Sequence, residues 1–423
     1  MYTLLSDPRQ GILWSNRCPV YFASGWTDQE RFLLTISFLH YGWPNRNNWK
    51  YTSSDCSTSG GPIINTFENA TELAIKILDS HSGRWRNLHI TAVANIFERF
   101  SAYTQPNQLV NIYLKVFNDL SLQVDPQPPQ VPNFMMSSEF NPTQLMLIDF
   151  PLTSVNIFWG NITHLTLRNI SAEEGIDILQ RAPTLEYYDI SLCQSSDTIF
   201  REPSLHSRLH SLKLTNYVEG FLEAITHPSL EECTQYIRDI DPLLVAVMVS
   251  LLNRSGCCLK ALNLNYVPDD VESLITLLQA IPSLERINLS FDFGFVPSPM
   301  MDEILIRIFY PPPGSEDPAT NSFLPCLQSM PHCRSPDYGD PFSWDRIPQL
   351  YHLGHRRLRT LGSTAYGYQS PINHETALQL LQLADEGVDF EIIEEKMGGD
   401  YMRLAKFWLR EPWLDHLKLD HLE

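Results

Sequence analysis

At 423 residues the chain is about two to three times a typical domain length, so several domains or one long repeat array are expected. An apolar content of 43% with 11% aromatics supplies a packed core and excludes wholesale disorder. The formal net charge of -19 argues against nucleic acid as a partner, and against a purely electrostatic dock on anionic lipid.

Residues 1 to 84 read as irregular, with a polar "YTSSDCSTSGGP" and a helix-like "FENATELAIKILDSH". The opening "MYTLLSDPRQGILW" lacks the basic-then-apolar plan of a secretory signal. No stretch approaches the roughly 18 uninterrupted apolar residues of a membrane span, so no membrane partner is expected. Eight irregularly spaced cysteines read as reduced thiols of the cytosol or nucleus. The Asn-x-Ser/Thr sequons at Asn69, Asn161, Asn169, Asn253 and Asn288 are then chance matches.

From about residue 85 to 365 one beat recurs, Leu-x-x-Leu-x-Leu. Trp85, Leu88 and Ile90 open it; Leu109, Ile112 and Leu114 follow, then Leu145, Ile148 and Phe150. The clearest units begin at Ile162 (with Leu165 and Leu167) and Leu185 (with Tyr188 and Ile190). Leu209, Leu259 and Leu284 start three more, with Leu212 and Leu214, Leu262 and Leu264, Ile287 and Leu289. Successive starts from Ile162 lie 23, 24, 50 and 25 residues apart, and the gap of 50 leaves room for a degenerate unit at Leu230, whose later apolar positions are lost. "YPPPGSEDPATNS", residues 310 to 322, reads as a surface loop. Weaker units follow in "FLPCLQSM" and "RLRTLGSTAY", and residues 366 to 423 read as a C-terminal helical cap.

This period is that of a leucine-rich repeat, each unit one short strand and a returning helical or irregular arm. The expected fold is α/β, a leucine-rich-repeat solenoid with a curved parallel sheet and helical or irregular outer arms. The fourth and sixth positions of each unit should point inward, and the third, fifth and seventh outward. "SAEEGIDILQRAP" carries a capping box from Ser171 to Glu174, and Glu173 and Glu174 suit the positive end of a helix. "PDDVESLITLLQAIP" sets Val271, Leu274, Ile275 and Leu278 on one helical face, and Pro183 and Pro282 stop their helices before the next strand.

A doubly wound α/β enzyme also alternates strands and helices, but it would carry a phosphate-binding glycine loop. Neither G-x-G-x-x-G nor G-x-x-x-x-G-K-[ST] occurs. The "DFG" of Asp292 to Gly294 has no other kinase motif beside it, and no G-x-S-x-G or H-E-x-x-H is present. Cys326, His332, Cys333, His352 and His355 match no zinc spacing. One of Cys257 and Cys258 is expected to face the core. No catalytic residue, metal or cofactor is expected, and an enzyme set into residues 310 to 360 stays as an outlying alternative.

The outward strand face is then the candidate binding surface. Its residues in the clearest units are His164, Thr166 and Arg168; Tyr187 and Asp189; Lys213; Asn263 and Asn265; and Arg286 and Asn288. Such a polar ladder suits a protein or peptide, with Tyr187, Arg168 and Arg286 as natural anchors.

"ILDSHSGRWRNLHI" (77 to 90), "VNIFWGNITHLTLRNIS" (155 to 171), "LLQRAPTLEYYDIS" (178 to 191), "LLNRSGCCLKALNL" (251 to 264) and "LLQLADEGVDFEII" (380 to 393) occur in this order. Together they resemble the mushroom-type fungal F-box proteins with leucine-rich repeats, over residues 12 to 393. The resemblance implies a substrate-recognition subunit of a Skp–cullin–F-box ubiquitin ligase, cytoplasmic or nuclear. Its repeats would hold a protein substrate, and an F-box module would dock on the Skp adaptor. "GILWSNRCPVYFAS" resembles the stretch that follows an F-box, so this sequence is expected to be either a member that has lost the module or one whose F-box is encoded upstream of Met1. The alternative is an orphan repeat scaffold with no ligase link.

Overall fold

The computed structural model describes residues 12–13, 20–25, 32–38, 72, 75–76, 85–92, 94–97, 109–116, 134, 141–155, 157–193, 203–216, 220–236, 242–265, 271–290, 298–309, 323–335, 344–353, 358–366, 374–395 and 401–402. It is a mixed α/β, repeat-like chain in two compact units, Met1–Ser196 and Asp197–Glu423. The division falls inside the stretch read as one array, and the loop at 310 to 322 lies outside the described residues.

The first unit holds strands β1 (Ile12–Leu13), β2 (Val20–Gly25), β3 (Phe32–Phe38), β4 (Trp85–Ala92), β5 (Asn111–Val116), β6 (Gln144–Ile148), β7 (His164–Ile170) and β8 (Tyr187–Leu192). β1 to β3 pair antiparallel, and from β3 to β8 every neighbour is parallel and sequential. Among the described residues of 1 to 84 there are thus three strands. The Ala172–Arg181 helix returns the chain between β7 and β8.

The second unit holds β9 (Ser204–Leu205), β10 (Ser211–Thr215), β11 (Ile225–Thr226), β12 (Glu232–Tyr236), β13 (Ala261–Leu264), β14 (Arg286–Ser290), β15 (Ser329–Ser335), β16 (Thr360–Tyr366), β17 (Asp389–Glu395) and β18 (Tyr401–Met402). β10, β12 and then β13 to β17 form a parallel ladder, closed by antiparallel β18; β9 and β11 pair apart from it. The Pro242–Ser255, Val271–Gln279, Ser298–Phe309, Ile347–Leu353 and His374–Asp385 helices alternate with the later strands. Among its described residues the stretch from 366 therefore holds one helix and two strands.

The beat governs the core. Ile162, Leu165, Leu167, Leu185, Tyr188, Ile190, Leu209, Leu262, Leu284, Ile287 and Leu289 are all fully buried. Tyr188 stands where the motif wants leucine, and its hydroxyl donates to the Gly175 carbonyl at 3.1 Å. That bond satisfies the polar tip a leucine would not have brought inside. The Ala172–Arg181 helix starts on the expected box: Glu174 N–H donates to Ser171 Oγ at 3.2 Å, and Ser171 N–H to the Glu174 carboxylate at 3.0 Å. Leu274, Ile275 and Leu278 are buried as expected, while Val271 is half-buried.

The unit at Leu230 keeps its strand in full as β12. Leu230, Cys233 and Gln235 fill the first, fourth and sixth positions, all buried, and Gln235 Nε2 has no hydrogen-bond partner. A buried donor without a partner costs about 1–3 kcal/mol. Gln235→Leu is therefore expected to raise stability by about 1–2 kcal/mol. A rise in the thermal midpoint checks this, and a fall would mean that the amide is satisfied after all. Cys257 and Cys258 correct the sequence reading: Cys257 is half-buried and Cys258 exposed, because the inward start of that unit is Leu259. Cys193, Cys233, Cys257, Cys258 and Cys326 are free thiols.

A stitch between repeats accompanies the prolines. In "PTL", "PSL" and "PSL" the hydroxyl before the first leucine reaches back one unit. Thr184 donates to Gly160 O at 2.7 Å, Ser229 to Ser207 O at 2.6 Å and Ser283 to Leu259 O at 2.8 Å. The main chain repeats a second stitch: Thr163 O, His210 O, Glu231 O, Lys260 O and Glu285 O each accept two successive N–H groups of the next unit. Asp149 and Asn216, just past their strands, and Asn169, at the register shift near the end of β7, take positive φ (55°, 62° and 61°), a conformation that Asn and Asp tolerate best among side chains with a Cβ. Asn169 Nδ2 also donates to Asp149 Oδ1. Pro331 lies inside β15, and the register slips beside it in both neighbouring ladders, since proline has no N–H to give.

Candidate functional site

Parallel pairing without slip stacks outward residues into rows, one strand spacing of about 5 Å apart. In the first unit one row runs Asn87, Asn111, Gln144, His164, Tyr187. The next runs His89, Tyr113, Met146, Thr166, Asp189, and the third Thr91, Lys115, Ile148, Arg168, Ser191.

Neighbours along these rows interact. Asn111 Nδ2 donates to Asn87 Oδ1 at 2.5 Å. The His89 and Tyr113 rings meet at 3.9 Å between centroids, and His164 stacks on Tyr187 at 5.8 Å and 25°. The Thr163 hydroxyl lies 3.0 Å from His164 Nδ1. Burial first, then the charge of Lys115, lowers the His89 pKa, and burial raises that of Tyr113.

Arg168 grips Asp189 with two donors, at 2.6 and 2.7 Å. The Asp189 side chain is 5% exposed and that of Arg168 27%. Asp189 is therefore a buried tie within the face rather than a group free to meet a ligand. Of the other expected contacts here, His164 is exposed, and Thr166, Arg168 and Tyr187 are half-buried.

In the second unit, β10, β12, β13 and β14 align Lys213, Thr234, Asn263 and Asn288. Asn263 Nδ2 donates to Thr234 Oγ1 at 2.8 Å, and Asn288 Nδ2 donates to Asn263 Oδ1. Lys213 Nζ sits 5.3 Å from the Tyr236 ring centroid. The neighbouring row is Ser211, Glu232, Ala261, Arg286. There Arg286 reaches past Ala261 to the Glu232 carboxylate at 3.9 Å, a span that a larger side chain at 261 would block. Asn265 is half-buried at the strand exit, its N–H donated to Gln235 O at 2.8 Å.

The expected residues thus fall into two sets. His164, Thr166, Arg168, Tyr187 and Asp189 share the first unit's face; Lys213, Asn263, Asn265, Arg286 and Asn288 share the second's. Asn87, His89, Tyr113, Lys115, Met146, Ile148, Glu232, Thr234 and Tyr236 were missed. For Asn87, His89, Tyr113 and Lys115 the signal was present, because they hold the outward positions of units whose inward residues are plain at Leu88 and Ile112. Met146 and Ile148 correct the frame of their unit: β6 pairs Leu145 with Leu165 and Leu147 with Leu167, so Leu145 and Leu147 take the inward fourth and sixth positions, and Ile148, read as inward in the beat Leu145, Ile148 and Phe150, faces out. Glu232, Thr234 and Tyr236 belong to the degenerate unit at Leu230.

Among the described residues no three His, Cys, Asp or Glu side chains gather as metal ligands, and no helix is long and apolar enough to cross a membrane. No family model matches the chain, and no curated protein matches it.

Proposed function

We propose that this chain is a leucine-rich-repeat solenoid, non-enzymatic and cofactor-free, that binds another protein on its outward strand face. Its context is substrate recognition for a Skp–cullin–F-box ubiquitin ligase. The in-register rows support the binding reading most directly. They present aromatic, amide and cationic side chains on a rigid sheet, which is how repeat proteins offer a partner many small contacts without loop ordering. The ligase context rests on the resemblance of the blocks between residues 12 and 393.

Two measurements separate these layers. A photo-crosslinking residue placed at Thr166 or Tyr187 should capture protein partners, and the same residue at Glu173, on the return helix, should not. Capture from the helix alone would sink the face as the binding surface. A pull-down against the Skp adaptor, with and without in-frame coding sequence upstream of Met1, tests the ligase layer. Binding by either form supports it. No binding by both leaves the orphan repeat scaffold, and the ubiquitin context is then dropped.

A further inference from the structure

The first unit's face departs from the chain's overall acidity. Acids outnumber bases overall, 49 to 30. On the three rows between β4 and β8, Asp189 is the one acid, and Arg168 already holds it. Lys115 has no carboxylate partner among the described residues, and its field is felt at His89, whose pKa it helps to lower. Lys115 and Arg168 flank Ile148 in one row, and Met146 stands beside Ile148 on the same strand face. All four are half-buried. The pattern is an apolar centre with a free cation at one side and a neutralised cation at the other.

The geometry points to a partner segment that carries a carboxylate next to a bulky apolar side chain: the carboxylate meets Lys115, and the apolar group covers Met146 and Ile148. This rests on the face being the docking surface and adds the chemistry of what docks. Charge complementarity chooses the partner. An acidic chain with an acid-poor, cation-bearing face favours anionic segments there over its acidic surface, so orientation as well as affinity comes from the charge. The apolar pair supplies what charge alone does not, a surface to be desolvated around an anchor.

The test uses the full chain and three fluorescein-labelled peptides of one frame, alternating leucine with glutamate, glutamine or lysine, read by anisotropy at up to millimolar peptide. The glutamate peptide should bind the wild-type chain best and weaken as salt rises. Lys115→Glu should weaken it roughly tenfold or more and transfer preference to the lysine peptide. Lys76→Glu, which reverses a charge on an exposed helical residue off the face, should leave binding unchanged. Ile148→Arg should weaken the glutamate and glutamine peptides together.

If the glutamine peptide binds as tightly as the glutamate one, or Lys115→Glu keeps the glutamate peptide, the carboxylate assignment is wrong. If Ile148→Arg still abolishes binding in that case, the face remains a docking surface. No binding of any peptide overturns the inference, and the crosslinking result then stands alone for the face. A single-stranded oligonucleotide that competes on equal terms overturns the choice of a protein partner. Circular dichroism of each variant separates lost binding from lost fold, and the gain of the lysine peptide by Lys115→Glu cannot come from unfolding.

Discussion

Arg168→Ala is expected to destabilise the first unit by about 3 kcal/mol, because it leaves the Asp189 carboxylate buried without its cation. Two charge-assisted bonds at 2.6 and 2.7 Å hold that carboxylate now, and its side chain is 5% exposed, so water cannot readily replace them. Asp189→Ala should cost less, since the Arg168 guanidinium is 27% exposed and can turn toward solvent. Removing both charges, as Arg168→Met with Asp189→Leu, should recover most of the loss. The carboxylate's desolvation penalty then disappears together with the bond that offsets it. Urea unfolding of the four proteins as a double-mutant cycle measures the coupling. A cost below about 1 kcal/mol for Arg168→Ala would show that the pair behaves as an exposed surface bridge.

Acid should loosen the second unit through one side chain. His227 is fully buried, following β11, and its main-chain N–H donates to Ser255 Oγ at 3.0 Å. Burial, then the neighbouring His206 and Arg254, push its pKa from 6.5 down to about 4. The unfolded chain therefore takes up this proton first as pH falls. Stability contributed by the neutral ring is full above pH 6.5 and is lost as pH drops from there to about 4. At about 1.4 kcal/mol per pH unit, the loss totals about 3 kcal/mol. Urea midpoints at pH 7, 5.5 and 4 for the wild type and His227→Leu give the check. The variant, which has no proton to gain at 227, should show a shallower decline over that window. Parallel declines would mean that other groups carry the acid response.

These two sites differ in how they could be read from the amino-acid sequence. Arg168 and Asp189 are both outward positions of plain repeats, so their presence on one face follows from the beat. Their pairing does not follow. It depends on β7 and β8 aligning Thr166 with Asp189 and Arg168 with Ser191, which brings the two side chains diagonally together. His227 carries no pattern at all. It lies after β11, a two-residue strand outside the main ladder, and only packing shows that it is buried.

The degenerate unit at Leu230 makes the same point from the other side. Its hydrophobic signal fails at Cys233 and Gln235, yet β12 forms, because β10 and β13 each offer it a row of unpaired N–H and C=O groups. Neighbours carry a strand whose own apolar residues would not. The repeated Ser or Thr after proline was visible as letters. Its role as a bond to the preceding unit depends on where that unit's carbonyl lies, which sequence spacing does not state.

What the sequence determined by itself is the alternation: a period of two inside each strand, a helical period in the return arms, and a unit length short enough to force neighbours together. Those are local properties, written in side chains a few residues apart, and burying the apolar positions leaves the backbone little choice. What the tertiary structure decided is which outward groups neutralise one another and which do not. Arg168 is used up by Asp189, and Arg286 reaches Glu232 over a small Ala261. Lys115 keeps its charge free among the described residues. Each outcome depends on register across strands 20 or more residues apart, on side-chain reach and on exclusion of water, and these exist only once the strands have paired.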